Sequence, residues 1–386
     1  MNALPLADGV LDAATHGSYC PKMCTFACPV AAATGLDAAV PWSFHRAVAD
    51  LGSGRDAGWT TPPDADQAWA PLTLCNGCLA CKSACTYEQD VPSQIVAARR
   101  ALTIAGVVPD RVSTAIGHLL AGRGADGGEL PALPVSNDTA QHAPPTALVL
   151  RVALNDPASL IEAYATLAQR SHQEVNIQRS TSASAALLMA LGREDLAADA
   201  RASMREEIAG ASTIVVSDPA DLTMVREAAA TGVKVLDVPN WLLELLENGA
   251  LQRSSAPALG RTTWHDPVVL ARHHAEISAG RQVLRLLGSV IVEPEGHGAA
   301  TVAAGPGLGM EVLAPQAVAS VAKARAAQLS ATGAPVTTAG SATVAALRAA
   351  GLDVHELAEL VMERTQALGS PTANATTGHT PFTDPS

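Results

Sequence analysis

The stretch that decides the fold of the N-terminal part is Cys75-Asn-Gly-Cys78-Leu-Ala-Cys81-Lys-Ser-Ala-Cys85. Its spacing, C-x2-C-x2-C-x3-C, is typical of segments that hold cubane iron–sulfur clusters, and the fourth cysteine of such a segment usually ligates a second cluster. Thiolates two residues apart on a tight loop can each reach a different iron of one cube. The spacing therefore predicts a cluster-binding loop that also contributes one cysteine to a neighbouring cluster.

A looser set of cysteines lies upstream, at Cys20, Cys24 and Cys28-Pro29, and the chain has seven cysteines in all, none of them after Cys85. An odd number with metal-like spacing argues against a disulfide framework. Zinc is the alternative metal, but zinc sites usually combine two C-x2-C pairs that lie well apart in sequence. Iron–sulfur clusters are therefore predicted in preference to zinc.

Composition limits the functional class of this 386-residue chain, which has a net charge of −12, 48% hydrophobic residues and 3% aromatic residues. A nucleic-acid partner is not expected, because such proteins carry a basic patch. The first residues, Met1 to Gly17, lack the basic and apolar regions of a signal peptide. No uncharged apolar run approaches the ~20 residues that span a bilayer. We expect a cytoplasmic protein of two or three domains, with no membrane span.

Residues 1–106 are predicted to form a helical domain around the two cysteine sets. Residues 1–19 are expected to be an irregular lead-in. Helices are predicted over Pro41–Leu51, where proline favours the first turn, over Ala65–Leu72, and from Val91 onward. The segment 107–145 is predicted to be a linker, because its second half is rich in proline, glycine and polar residues.

Strand and helix patterns alternate after the linker, which indicates parallel sheet covered by helices. One strand–helix–strand–helix unit is repeated: its strands lie in Gly210–Ser217 and Gly232–Val238 in the first copy, and in Gly333–Thr338 and Gly351–Leu357 in the second. Residues 146–250 and 260–368 are therefore predicted to be two halves of a duplicated α/β domain. Residues 369–386, rich in Thr, Pro, Ser and Asn, are expected to be a disordered tail.

The chain resembles the iron–sulfur subunits of heterodisulfide reductases, glycolate oxidase and anaerobic glycerol-3-phosphate dehydrogenase. The resemblance covers nearly the whole chain and rests on five motifs: Cys28-Pro-Val, the Cys75–Cys85 run, Val91-Pro-Ser, Trp264-His-Asp-Pro267, and Leu270 with Arg272. It implies an α-helical ferredoxin domain followed by a duplicated α/β domain with parallel sheets.

The departures from this family concern the α/β domain, whose halves usually carry further cysteines. Val268 stands where the family has a cysteine after His-Asp-Pro. The other equivalent stretches read Ser180-Thr-Ser182, Ser217-Asp-Pro219, Ala303-Ala-Gly-Pro-Gly307 and Ala339-Gly-Ser341. Because these residues supply no thiolates, we expect a metal-free α/β domain.

The resemblance also implies cross-ligation between the two cysteine sets. One [4Fe–4S] cluster would be held by Cys75, Cys78, Cys81 and Cys28. The other set has only Cys20, Cys24 and Cys85, because Gly17 lies near the place of the missing cysteine. It would hold a [3Fe–4S] cluster, or a [4Fe–4S] cluster whose fourth iron binds solvent or a nearby side chain, with His16 and Ser18 as candidates. The alternative is a single cluster, with Cys20 or Cys24 unligated.

Three other motifs are interpreted as structural. Gly305–Gly309 lacks the lysine of a phosphate-binding loop and is predicted to be a turn. His265 and Asp266 are expected to pack at a strand end rather than act as an acid–base pair. His273 and His274 are expected on a solvated helix face.

The sequence predicts a non-catalytic electron-transfer subunit of a cytoplasmic oxidoreductase. It would relay electrons between a flavoprotein dehydrogenase (FAD or FMN), or an electron-transfer flavoprotein, and a second acceptor. Two alternatives remain open: a self-contained iron–sulfur reductase with substrate bound in the α/β domain, and an iron–sulfur redox sensor.

Overall fold

The N-terminal part of the chain is helical. The computed structural model describes residues 3–54, 64–133, 148–179 and 185–367, so Ser180-Thr-Ser182, most of the predicted linker after residue 133 and the predicted tail lie outside the described residues. The helices of this part are α1 (Asp8–Tyr19), α2 (Pro29–Thr34), α3 (Pro41–Ser53), α4 (Ala65–Trp69), α5 (Ala80–Ser83), α6 (Val91–Ile104) and α7 (Asp110–Leu120).

Four of these helices, the short α2 and α5 and the longer α1 and α7, lie where the sequence predicted none. The expectation of an irregular lead-in over residues 1–19 is wrong, because α1 packs along α3 and closes the helical core. Helix α7 lies inside the segment 107–145 that was predicted to be a linker, and it buries Val112, Ile116 and Leu119 against the same core.

The predicted helices begin where their capping residues stand. Pro41 occupies the first turn of α3, where its missing N–H has no partner to lose. The Asp90 carboxylate caps α6 by accepting a hydrogen bond from the Ser93 N–H at 3.1 Å. The two helices then bury Phe44 and Ile95 in the core that flanks the cysteine loops.

The first α/β half is a four-stranded parallel sheet in the order β2-β1-β3-β4. Its elements are β1 (Leu148–Val152), α8 (Ala158–Arg170), β2 (Val175–Arg179), α9 (Ala185–Ala190), α10 (Glu194–Glu207), β3 (Thr213–Val216), α11 (Leu222–Ala228), β4 (Lys234–Asp237) and α12 (Val238–Glu247). A short strand, β5 (Leu251–Arg253), follows. Strand β1 is buried along its length, as a central parallel strand covered on both faces requires.

The second half repeats this arrangement as a parallel sheet in the order β7-β6-β8-β9. Its elements are β6 (Gly260–Trp264), α13 (Ala279–Leu286), β7 (Ser289–Ile291), α14 (Met310–Leu313), α15 (Pro315–Ser330), β8 (Val336–Thr338), α16 (Ser341–Ala349), β9 (Val354–Glu356) and α17 (Leu357–Arg364). Strand β10 (Thr365–Ala367) pairs antiparallel with β5. The identical strand order confirms the predicted α/β architecture with parallel sheets.

Helices of the two halves pack against each other across the interface. Helix α17 of the second half packs on α8 of the first, and α12 of the first packs on α13 of the second. An acidic residue caps the N-terminus of the last helix in each half: Asp237 caps α12 and Glu356 caps α17. Each carboxylate accepts backbone N–H groups at a helix N-terminus, where negative charge is stabilised. One apolar core therefore runs through both halves.

Arg99, fully buried on α6, joins the helical part to both α/β halves. Its guanidinium donates to Leu72 O (2.6 Å) in the helical part, Ala190 O (2.6 Å) in the first half and Leu308 O (2.7 Å) in the second. Burial lowers the pKa of Arg99 to about 10, which leaves it charged at neutral pH. One side chain thus satisfies a carbonyl from each part of the molecule.

None of the helices in the described ranges combines the length and the apolar character needed to cross a lipid bilayer.

Replacing Arg99 with methionine is expected to destabilise the chain by at least about 3 kcal/mol, because two buried carbonyls and one half-buried carbonyl lose their donor. Chemical denaturation followed by circular dichroism measures the free energy of unfolding. The matched control is Arg100→Met on the same helix, where an exposed arginine pairs with Glu194 and contributes little. Equal stability of the two variants would contradict the role assigned to Arg99.

Candidate metal centre

The Cys75–Cys85 stretch folds as a tight loop followed by one short helix. Gly77 (φ +72°) and Leu79 (φ +56°) adopt left-handed conformations, which bend the backbone twice before α5. A side chain at position 77 would be strained in this conformation and would also press on Leu308. The turns leave Cys75, Cys78 and Cys81 buried. The short spacing of the cysteines is thus converted into a compact group of thiols.

Cys28 reaches this group from the upstream set. The four cysteines Cys28, Cys75, Cys78 and Cys81 line one cavity. The rest of its lining is Asn76 and the largely apolar side chains Val30, Pro41, Phe44, Leu79, Val91 and Pro92. The structure therefore brings together the same four cysteines that the sequence assigned to one ligand set.

Burial keeps these thiols protonated in the metal-free chain. Desolvation raises the pKa of Cys75 to about 12 and that of Cys78 to about 11. It also raises the pKa of Cys28 and of Cys81, and the neighbouring thiolates raise that of Cys81 further. A bound metal reverses this preference, because its positive charge deprotonates a coordinating thiol and releases the protons.

The second cysteine set also gathers in space. Burial is the largest cause that raises the pKa of Cys24 to about 11, and the charges of Cys20 and Cys85 raise it further. The Cys20 and Cys85 thiols therefore both lie within electrostatic reach of Cys24. Cys24 is buried, whereas Cys20 and Cys85 are half-buried. This set therefore lies closer to the molecular surface than the first.

The two side chains considered as a fourth ligand for the second set differ in availability. The Ser18 hydroxyl is buried and donates to Ala14 O at 2.8 Å within α1. His16 is exposed, and its ring lies edge-on to Tyr87 with 4.3 Å between centroids. Because Tyr87 follows Cys85 by two residues, His16 is beside the second set and remains the better candidate of the two.

The second α/β half covers the first cysteine set. Arg272 lies in the π-helical turn Val269–His273 and donates to Ser83 Oγ at 3.0 Å. Its positive charge lowers the pKa of Cys78, although the larger effect of burial raises that pKa. His273 is exposed, as expected, but its Nε2 also lies 2.8 Å from Gly77 O. The sequence assigned neither residue to the site, although Arg272 is one of the residues on which the resemblance rests.

The Gly305–Gly309 turn closes over the same loop. Asn76 donates through its amide to Gly305 O at 3.4 Å. At Gly307 (φ +142°) an added Cβ would collide with Asn76 O, so only glycine fits here. The predicted turn is therefore a close-packed cover for the cysteine loop, a role that the sequence did not reveal.

The stretches Ser217-Asp-Pro219 and Ala339-Gly-Ser341 meet at Asp156. This buried carboxylate accepts a hydrogen bond from Ser217 Oγ at 2.6 Å, and a further one from Ser341. The Ser217 hydroxyl in turn accepts from the Ala153 N–H at 2.8 Å. At the carboxyl ends of β3 and β8, the Ser217 and Ser341 hydroxyls thus provide hydrogen bonds to the Asp156 carboxylate.

His265 and Asp266 are both buried at the end of β6. Asp266 forms a buried ion pair with Arg281, with an Nη2–Oδ2 distance of 2.8 Å, and accepts the Gly298 N–H at 2.6 Å. Burial and the Arg325 charge lower the pKa of His265 well below its usual value. Both residues fix the end of β6, in agreement with the sequence interpretation.

Within the described ranges no three His, Cys, Asp or Glu side chains are arranged as the ligands of one metal ion. The four thiols of the first set line one cavity instead. Four thiols are the donor set that a cubane cluster takes, because each thiolate binds its own iron. Comparison of the chain with protein-family models, curated proteins and solved structures gives no match. The family resemblance therefore stays a prediction.

In metal-free protein at pH 8, we expect Cys75 to react with iodoacetamide at least about tenfold more slowly than in the urea-unfolded chain, because burial and a raised pKa suppress the thiolate. The rate should increase as the pH rises toward 10. Mass spectrometry of peptides after timed quenching measures each cysteine. Equal rates in folded and unfolded chains would show that the thiol is not buried.

The Gly307→Ala variant tests the cover over the cysteine loop. Its Cβ would meet Asn76 O in a backbone conformation that disfavours alanine, so we expect a lower melting temperature and faster hydrogen exchange in residues 75–79. The control is Gly117→Ala on α7, where an added Cβ meets nothing within 4 Å and alanine favours helix. Unchanged exchange in the Gly307 variant would contradict the close packing.

Proposed function

We propose that the chain is an iron–sulfur electron-transfer subunit of an oxidoreductase. The observation that carries the proposal is the convergence of Cys28 with Cys75, Cys78 and Cys81 on one largely apolar cavity. The two segments lie far apart in sequence, and a C-x2-C-x2-C run with a remote cysteine is a ligand set of the cubane type. When bound, such clusters take up and release single electrons without bond-making chemistry.

The second set, Cys20, Cys24 and Cys85, is proposed to hold the other centre, as a [3Fe–4S] or an incompletely ligated [4Fe–4S] cluster. Support comes from the mutual influence of the thiols: Cys28 of the first set raises the pKa of Cys24, and Cys24 raises that of Cys81. The two sets therefore lie side by side. This arrangement suits transfer of an electron from a surface centre to a buried one.

The surrounding residues are suited to tuning the first centre. The Gly77 N–H donates to Cys75 Sγ at 3.5 Å, and the Ala80 N–H interacts with the Cys78 sulfur. The Arg272 guanidinium adds positive charge beside Cys78. Hydrogen bonds and positive charge at the sulfurs stabilise the more negative, reduced state, so these groups would raise the reduction potential.

The partner on the electron-donor side is proposed to be a flavoprotein dehydrogenase or an electron-transfer flavoprotein, in the cytoplasm. This part of the proposal rests on the motif resemblance. The α/β domain would act as a scaffold that covers the first centre. A self-contained reductase is less well supported, because the Asp156 cluster at the ends of the strands is occupied by its own hydrogen bonds.

Anaerobically prepared protein is expected to contain about seven to eight irons and matching acid-labile sulfide per chain, with two centres distinguishable by electron paramagnetic resonance. Cys78→Ser removes a ligand of the first set and should abolish mainly that signal. Cys24→Ser removes a ligand of the second set and should abolish mainly the other. Each variant serves as the control for the other, because the same substitution is made at the two sites.

Two outcomes would contradict the proposal to different extents. About four irons and one signal that Cys24→Ser leaves unchanged would reduce the protein to a single cluster. Stoichiometric zinc without sulfide would overturn the iron–sulfur proposal altogether.

A further inference from the structure

Large exposed hydrophobic side chains gather around the second cysteine set. Tyr19, Met23, Phe26 and Tyr87 are 69%, 60%, 86% and 58% exposed. Each lies within two residues of Cys20, Cys24 or Cys85 in sequence. We call these four residues the aromatic patch.

The aromatic patch stands out against the composition of the chain. Only 3% of all residues are aromatic. Of the other large rings in the described ranges, Trp42 is half-buried, and the rest, such as Trp69, Trp241 and Trp264, are buried. Single exposed hydrophobic residues are normal, but several together mark interaction sites. Aromatic residues and methionine are enriched in protein–protein interfaces. The composition of the patch is therefore that of an interface.

The patch residues share one region of the structure. The 3-10 helix that carries Met23 and Phe26 packs against α5, which leads to Cys85 and Tyr87. Tyr87 contacts His16 on α1, and Tyr19 ends the same helix. The patch residues are therefore exposed on the same packed segments that carry the second set of thiols.

The opposite side of the cysteine loops is already covered. Arg272, His273 and Leu308 of the second α/β half lie over the loop that holds the first set. The first set is therefore covered on this side, whereas Cys20 and Cys85 of the second set are half-buried.

The charges beside the patch favour an acidic partner. Lys22 lies between Cys20 and Cys24, with its ammonium 3.9 Å from the centre of the Trp42 ring, and Lys82 lies three residues before Cys85. These are two of the four lysines in a chain whose net charge is −12, and Glu88 is the one acid within the segments 16–28 and 79–88. The segments that surround the second set are therefore locally basic on an acidic protein.

We infer that the aromatic patch is the docking face for a redox partner protein whose own face is apolar at its centre and acidic at its rim. The inference rests on the proposed function, since a partner needs to dock here only if the second set holds a redox centre. An apolar centre supplies binding energy, and the lysines set orientation and association rate.

A photoreactive residue, p-benzoylphenylalanine, placed at position 26 of the full-length chain in its native cell tests this docking face. We expect it to cross-link to a polypeptide that carries a flavin or another redox cofactor with visible absorbance. The same residue at position 290 is the matched control, because Val290 is 66% exposed on β7, in the second α/β half. Iron and sulfide are quantified in each preparation.

The cross-linked partner is then purified and its affinity measured by calorimetry. Phe26→Ser and Tyr87→Ser are each expected to weaken binding by about tenfold or more. Lys22→Glu and Lys82→Glu are expected to slow association and reduce its salt dependence. The matched controls Val290→Ser and Lys323→Glu, which change the same residue types on other surfaces, should leave binding unchanged.

Several outcomes would overturn the inference. These are equal cross-linking from positions 26 and 290, cross-linking only to a second copy of the chain, a partner without a redox cofactor, and no partner at all. Affinities unchanged by Phe26→Ser and Tyr87→Ser would also overturn it. Failure of the proposed function has a different signature, because the wild-type protein would then contain no iron or sulfide whatever the cross-linking result.

Discussion

The packing of the helical part against both α/β halves depends on the hydrogen bonds of the buried Arg99 guanidinium. Arg99 donates to a carbonyl of the segment that enters the cysteine loop, to one at the end of α9 and to one in the Gly305–Gly309 turn. Burying a guanidinium is costly unless its donors are satisfied. The two Nη groups of Arg99 are satisfied where the three segments meet, whereas its buried Nε has no hydrogen-bond partner among the described residues. The cysteine loop is thereby held between the helical part and both α/β halves.

This position gives the two cysteine sets different surroundings. The first set lies in a largely apolar cavity under Arg272 and the Gly305–Gly309 turn, where desolvation dominates the pKa of every thiol. The second set has two half-buried cysteines and is bordered by exposed aromatic side chains. A buried centre and a surface centre would differ in potential even with identical ligands, because solvent exposure helps to set it.

The two α/β halves have the same strand order but contact different parts of the molecule. Both halves have the same strand order, and both begin their last helix with an acid cap. The second half nevertheless provides the cover over the cysteine loop, whereas the first contributes the Ala190 carbonyl that binds Arg99. At the interface between the halves, Ser217 of the first half and Ser341 of the second both donate hydrogen bonds to the buried Asp156 carboxylate.

The sequence by itself determined the cysteine loop and the α/β alternation, because both depend on short-range spacing and periodicity. It also indicated the duplication, since the repeated strand–helix units are visible as patterns. It missed α1, where the weak helix formers Gly9, Thr15 and Gly17 give little local preference and packing on α3 stabilises the helix instead. The cover formed by His273 and Gly307 was decided only by tertiary structure, because these residues contact partners almost two hundred or more positions away in the chain.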